Sequence, residues 1–258
     1  VSVNAVGSQV RGTKTVIYST QTDAPHYLQR PDANHLGADS TRNSLTGTGG
    51  TFQIGKAGNG KWRFTNWVTY RSTQLNLNDM GYMRRNDEVQ QIFWIQYRET
   101  EPKGIYRSYF LNFNQWFGST LGPEFMYFGF NADGHLTFKN HWSGSIGSSR
   151  DMKSYSRDAL RGGPMLLNNG QTDFWGYIET DNRRKLSIEL GASGGVADGG
   201  VTNYYNVGLE FDIQLSDAFK FSIEPSIFSW ENQLEYVCNE EFANDNRHIR
   251  ANIERVET

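Results

Sequence analysis

The sequence predicts an all-β protein, an antiparallel up-and-down meander forming part of a transmembrane β-barrel. Three observations carry that expectation. Apolar and polar residues alternate with period two over long runs, as on a strand with two unlike faces. The runs reach about 9–13 residues, beyond the usual soluble strand and close to what crosses a bilayer at a tilt. Tight and long connections also alternate along the chain, as they do between the two ends of a membrane barrel.

The clearest alternation begins at Tyr205. Tyr205, Val207, Leu209, Phe211, Ile213 and Leu215 lie on one face, and Asn206, Gly208, Glu210, Asp212 and Gln214 on the other. After the turn Ser216-Asp217-Ala218 the pattern resumes, with Phe219, Phe221 and Ile223 against Lys220, Ser222 and Glu224. Upstream, Trp62, Phe64, Val68 and Tyr70 oppose Arg63, Thr65, Thr69 and Arg71, while Leu186, Ile188 and Leu190 oppose Lys185, Ser187 and Glu189. Phe138 and Trp142 are read against Thr137, Lys139, His141 and Ser143. Val89–Glu99 and Ile105–Phe117 carry large residues on both faces.

From Thr51 the short connections are expected at 57–60, 100–104, 131–134, 180–184 and 216–218. Asn59-Gly60 and Asp133-Gly134 serve as turn formers in the first and third. The longer ones are expected at 72–87, 118–123, 147–172, 194–202 and 232–248. Residues 1–258 thus form one β-barrel segment of about 12–14 strands. Residues 1–50 are a less regular start, with one or two strands in Val1–Tyr18 and a long loop over Thr22–Asn43, and 51–258 the regular meander. The alternation beginning at Ile249 stops without a closing strand, so the chain reads as an internal piece of a larger barrel.

Composition agrees. The 258 residues carry a net charge of −3, with 16 Phe, 13 Tyr, 7 Trp and 27 Gly. The mean hydropathy is −0.64, so the aromatics belong to a chain that is polar on average. Lipid-facing aromatics and a watery lumen reconcile the two. No polybasic balance points to nucleic acid, and the single Cys238 excludes a disulfide framework and a Cys-based zinc site. No run approaches the roughly 18–20 apolar residues of a spanning helix, and no leader opens the chain, so it reads as a mature form or a fragment.

Catalytic motifs are missing: no Gly-x-Ser-x-Gly, no His-Glu-x-x-His, no phosphate-cradling glycine loop. His135 and His141 stand about 20 Å apart on a strand and share no metal. His26 and His35 flank Asp32 in a loop, where a cation or plain solvent are the alternatives. No metal and no cofactor are expected. The residues of interest are Arg63, Arg71, Lys139, Lys185, Glu189, Glu210, Asp212, Lys220 and Glu224 on the polar face. They read as a pore lining or as a wall of ion pairs. In the long loops the candidates are Arg84, Arg85, Asp87 and Arg161, the last reaching an acidic wall residue such as Glu210 or sitting in a loop that caps the barrel.

Five stretches carry a resemblance: HYLQRPDANH (26–35), NDMGYMRRND (78–87), QYRETEPKGIYRSYFLNFNQW (96–116), RDALRGGPML (157–166) and DNRRKLSIELG (181–191). In that order they resemble a large group of uncharacterised outer-membrane β-barrel domains of Gram-negative bacteria, a domain of unknown function. In that group the barrel usually follows a domain similar to family-9 carbohydrate-binding modules. The resemblance implies a bacterial outer-membrane location and a lipid-bilayer partner, and brings no site residues. By the same analogy the leading expectation is a pore or receptor for a polar, carbohydrate-like solute rather than an enzyme. The alternatives are a plugged barrel that anchors or exports an appended binding domain, a soluble lectin-like β domain, and a rim enzyme using Asp87, Asp158 and Asp173.

Overall fold

The structure, a computed structural model, describes residues 1–79, 81–200, 202–231, 233–242 and 245–253, the last two stretches as backbone alone. Strands β1 (Ser2–Arg11), β2 (Ser44–Lys56), β3 (Trp62–Arg71), β4 (Glu88–Glu99), β5 (Tyr106–Ser119), β6 (Phe125–Phe138) and β7 (Ser143–Asp151) pair in succession. After the small ribbon of β8 (Ser154–Ser156) and β9 (Leu166–Asn168), the sheet continues through β10 (Gln171–Glu179), β11 (Leu186–Ala197), β12 (Asn203–Ser216) and β13 (Phe219–Ile223). β14 (Ser226–Glu231) also pairs with β12, giving a 12-stranded antiparallel sheet. Its edges, β1 and the β13–β14 strand, are not joined to each other among the described residues.

β13 and β14 are one strand with a break. Phe211 lies opposite Ile223 and Gly208 opposite Ser226, the same register on either side of Glu224-Pro225. Proline lacks the amide that a ladder uses, and an edge strand tolerates that loss. The Pro225 carbonyl still accepts from Leu209 N at 3.0 Å.

The two faces of the sheet are unlike. One face holds Phe52, Phe64, Phe113, Ile146, Phe174, Leu190, Val207 and Leu209, all open to the surroundings, with Ile146 75% and Phe174 58% exposed. On the other, side chains bond across strands. Gln96 donates to Asn112 (2.9 Å), Asn112 to Asp133 (2.6 Å), Asn114 to Asn131 (2.7 Å) and Tyr204 to Asp173 (2.9 Å). The buried apolar residues are few and come largely from segments outside the strands: Ile17, Leu28, Ala33, Leu75, Met83 and Leu160. This inverts the usual globular distribution, in which large apolar side chains fill the interior.

At the tight-turn end, aromatic rings run across four strands. Trp62 meets Tyr97 edge-on at 5.0 Å, Tyr97 meets Tyr109 at 6.1 Å, Tyr109 meets Tyr106 at 6.2 Å and Tyr106 meets Phe138 at 5.9 Å. Such rings prefer tilted and edge-on contact, because their faces are negative and their rims positive.

Three expectations are corrected. A helix, α1 (Lys14–Thr22), follows β1 where only strands were expected. Thr13 caps it by accepting from Val16 N, and Ile17 and Gln21 are its buried residues. Nine residues are too few for a strong helical period to show in sequence. Residues 131–134 are not a turn: β6 runs straight through them, and the reversal comes at 139–142, with Phe138 N donating to Trp142 O at 2.8 Å and His141 at φ 66°. Within 232–248 the chain forms most of a hairpin, β15 (Gln233–Phe242) with β16 (Asp245–Ile253), instead of a long loop; Asn232, Ala243 and Asn244 lie outside the described residues.

Candidate functional site

The connections at the other end, together with the N-terminal segment, fold onto the polar face. Residues 72–77 lie against β2, where Gly47 and Gly49 leave room: a Cβ on Gly47 would strike the Leu75 backbone. Backbone groups then find partners outside the sheet, as buried amides and carbonyls must. Asn76 N donates to Ser8 Oγ (3.0 Å), Asn86 N to Pro25 O (3.2 Å) and Met165 N to Asp32 Oδ2 (2.6 Å). Gln21, fully buried, accepts from Asp39 N at 2.8 Å and donates to Asp39 O at 3.0 Å.

Asp87 is the centre of this cap. Its side chain is fully buried, and its backbone sits at φ 49°, a left-handed conformation that Asp tolerates better than most residues. Both carboxylate oxygens lie 3.0 Å from His35 Nε2, and Oδ1 accepts from Leu121 N at 3.2 Å. Arg30 Nη2 stands 3.6 Å away and Arg157 Nη1 3.7 Å, both side chains buried; Arg157 Nη1 also donates to the Asp87 carbonyl at 3.3 Å. Among the described residues Arg30 has no hydrogen-bond partner for Nε, Nη1 or Nη2, so the Asp87 charge is its compensation. Burial draws the Arg157 guanidinium below its ordinary range, against the pull of Asp158 and Asp87. The chain of charges continues outward: Asp158 lies 3.8 Å from Arg157 Nε and accepts from Arg85 Nε at 2.6 Å.

Beside this cluster, on β3, β4 and β6, Glu88 accepts from Arg71 Nη1 (2.6 Å) and from Tyr127 OH (3.0 Å), whose oxygen takes a bond from Gln90 Nε2 (3.0 Å). These side chains line an open cavity of about 450 Å³, to which the loop adds Leu77, Tyr82, Met83, Arg84 and Arg85.

His26 gives the cap a pH dependence. It is buried, bonds Leu75 O through Nε2 at 3.1 Å, and its burial pushes the imidazole below its ordinary value. A histidine depressed in the folded state resists charging, while the unfolded chain takes up its proton near 6.5. Cap stability is therefore fully present above about pH 6.5 and is lost as pH falls through the folded value. Proteolysis of the loops followed from pH 7.5 to 5 should show this loss, and His26→Gln should flatten it. An unchanged profile in His26→Gln would assign the dependence to another group.

Of the residues singled out in sequence, Arg71, Arg84, Arg85 and Asp87 come together here. Arg161 lies on the neighbouring turn, at φ 47°, with its amide donating to Asp158 O at 3.1 Å. The remaining candidates are spread over the sheet. Glu179 lies opposite Glu189, Glu189 opposite Glu210, and the continuing register sets Glu210 against Glu224, a row of four carboxylates. Asp212 pairs with Lys220 (2.7 Å) and takes a bond from Ser222. Arg63 is on β3 with its Nε buried. Lys139 and Lys185 are exposed just beyond β6 and just before β11, where Gln214 N still donates to Lys185 O at 2.7 Å.

Sequence reading missed Arg30 and Glu88 and did not connect Arg157 or His35 with Asp87. It set His26, Asp32 and His35 side by side as a cation alternative, yet each is turned to a different partner: Leu75 O, Met165 N and Asp87. Among the described residues no group of three or more His, Cys, Asp or Glu could hold a metal ion. A usable signal existed. Three of the five stretches of resemblance, 26–35, 78–87 and 157–166, supply Arg30 and His35, Asp87, and Arg157 to the same cluster.

The class defined by these features is an all-β protein built on one long antiparallel meander, apolar on one face and capped by charged loops on the other. The chain belongs to the family described as domain of unknown function DUF5916, whose match covers residues 12–257. No curated protein and no solved structure matches it.

Proposed function

We propose that the sheet is the wall of a β-barrel in a bacterial outer membrane, and that its capped end is a receptor mouth for a polar solute. The observation that carries the reading is the exposed apolar face, which includes Phe52, Phe64, Phe113, Ile146, Phe174 and Leu209. Soluble monomers rarely leave continuous apolar patches of this extent in water. In a bilayer the same face meets a solvent of its own kind, and a barrel leaves no backbone group unpaired in lipid. The aromatic row from Trp62 to Phe138 then lies at the height of an interfacial girdle. No helix of the described residues is long and apolar enough to cross a membrane, so the strands would do the crossing.

The second reading, a plugged barrel that anchors or exports an appended binding domain, is favoured by one observation. Buried charges tie residues 30, 35, 87 and 157 into a fixed cap. Two measurements decide. The protein should need detergent or lipid to stay monodisperse; a water-soluble monomer overturns the membrane reading. In a planar bilayer the intact protein should conduct, whereas a silent but inserted protein supports the anchor.

A further inference from the structure

The cavity beneath the β3–β4 loop has a composition that goes beyond accommodating a polar solute. We propose that it is an oxyanion site, which takes a carboxylate or phosphate carried on a sugar-sized ring. This rests on the capped end being the receptor mouth and names the class of molecule it would take.

The charge balance is the first argument. The cavity lining carries Arg71, Arg84 and Arg85 against Glu88, with Asp158 bound to Arg85. Three guanidiniums face two carboxylates, and the excess is positive. The carboxylates are also already engaged. Glu88 has one oxygen on Arg71 and the other on Tyr127, and Asp158 is held by Arg85.

The second argument is Arg84. It lines this cavity and also the adjoining cleft, where Asp158 is the one carboxylate in the lining and is paired with Arg85 and Arg157; among the described residues Arg84 itself has no ion-pair partner. Arg71 spends Nη1 on Glu88, and Arg85 spends Nε on Asp158. Each therefore keeps guanidinium donors for a ligand, since the fork carries five N–H groups. Guanidinium forks match carboxylate and phosphate oxygens in pairs, which an ammonium does not.

The third argument is shape. Tyr82 is 89% exposed at the lip, a flat ring free to stack. Below it Gln90 and the Tyr127 hydroxyl are neutral hydrogen-bonding groups suited to ring hydroxyls. A volume of about 450 Å³ lies within the usual range for small-molecule sites.

The test uses the full-length protein in detergent micelles, with binding followed by calorimetry. The probes are digalacturonate, its uncharged dimethyl ester, and inorganic phosphate. Digalacturonate should bind, and its ester should bind at least roughly tenfold more weakly, as loss of a charge-assisted contact implies. Arg84→Gln should weaken digalacturonate by a similar factor; Arg84 is exposed and outside the ion pairs of the cap, so the fold should survive. Tyr82→Ala should weaken digalacturonate and leave phosphate unchanged. Equal binding of acid and ester, or full affinity in Arg84→Gln, overturns the proposal. So does phosphate binding as tightly as digalacturonate, which would leave the ring without a role. An inserted protein that binds none of the probes defeats the oxyanion site and leaves the membrane reading standing. A water-soluble monomer that binds digalacturonate does the reverse.

Discussion

Asp87→Asn should destabilise the cap by about 3–5 kcal/mol, the range for breaking a buried ion pair from one side. Asparagine keeps the size of the side chain and tolerates the left-handed backbone at φ 49°, so the substitution removes charge with little change of shape. Arg30 and Arg157 then remain buried, 3.6 and 3.7 Å from a group that no longer compensates them. Arg30 is the worse placed, because its three guanidinium nitrogens have no hydrogen-bond partner among the described residues. Two further contacts weaken with it: His35 Nε2 at 3.0 Å and the Leu121 amide at 3.2 Å. Urea unfolding, read by Trp fluorescence and by protease sensitivity of the loops, measures the effect. Adding Arg157→Gln to Asp87→Asn should recover part of the loss, since one uncompensated charge leaves with it. Loop sensitivity that stays at the wild-type level in Asp87→Asn would show that Asp87 is a bystander.

The distinction between wall and cap also separates what was legible in the sequence from what was not. Wall strands repeat one local rule over ten or more residues, so β12, with its alternation from Tyr205 to Leu215, and its hairpin partner β13 could be read directly. Local rules mislead where a short signal competes with a long one. Asp133-Gly134 is a strong turn pair, yet Asp133 accepts from Asn112 within the ladder and the reversal falls eight residues after it, at His141. The cap follows no local rule. Asp87 meets His35 across 52 residues and Arg157 across 70, while residues close in sequence, such as His26 and His35, are directed to different partners. What joins them is the topology of the meander, which gathers alternate connections at one end. A one-residue error in a strand would not hide that gathering, but a chain read segment by segment gives no reason to pair these particular charges.

Leu209→Arg should destabilise the protein by about 2–4 kcal/mol in lipid vesicles, and the contrast with a position on the polar face tests the wall directly. Leu209 lies in the middle of β12 on the apolar face, between Val207 and Phe211, and is 39% exposed. Partial exposure is what makes the position informative. In a water-soluble sheet an arginine at such a site reaches solvent without strain, and surface changes of this kind usually stay within about 0.5 kcal/mol. In a bilayer the same site lies near mid-depth, where a guanidinium must snorkel or draw water inward. Asn206→Arg is the control on the same strand. It lies opposite Ser193 on the other face, beside the cleft that holds Glu189 and Glu210, so an added cation there meets unbalanced carboxylates. The control should be near neutral or stabilising in vesicles. A large loss at Leu209 with tolerance at Asn206 places lipid on the apolar face. Equal and small effects at both positions, measured by urea unfolding from vesicles, would mean that water or another protein surface covers that face instead.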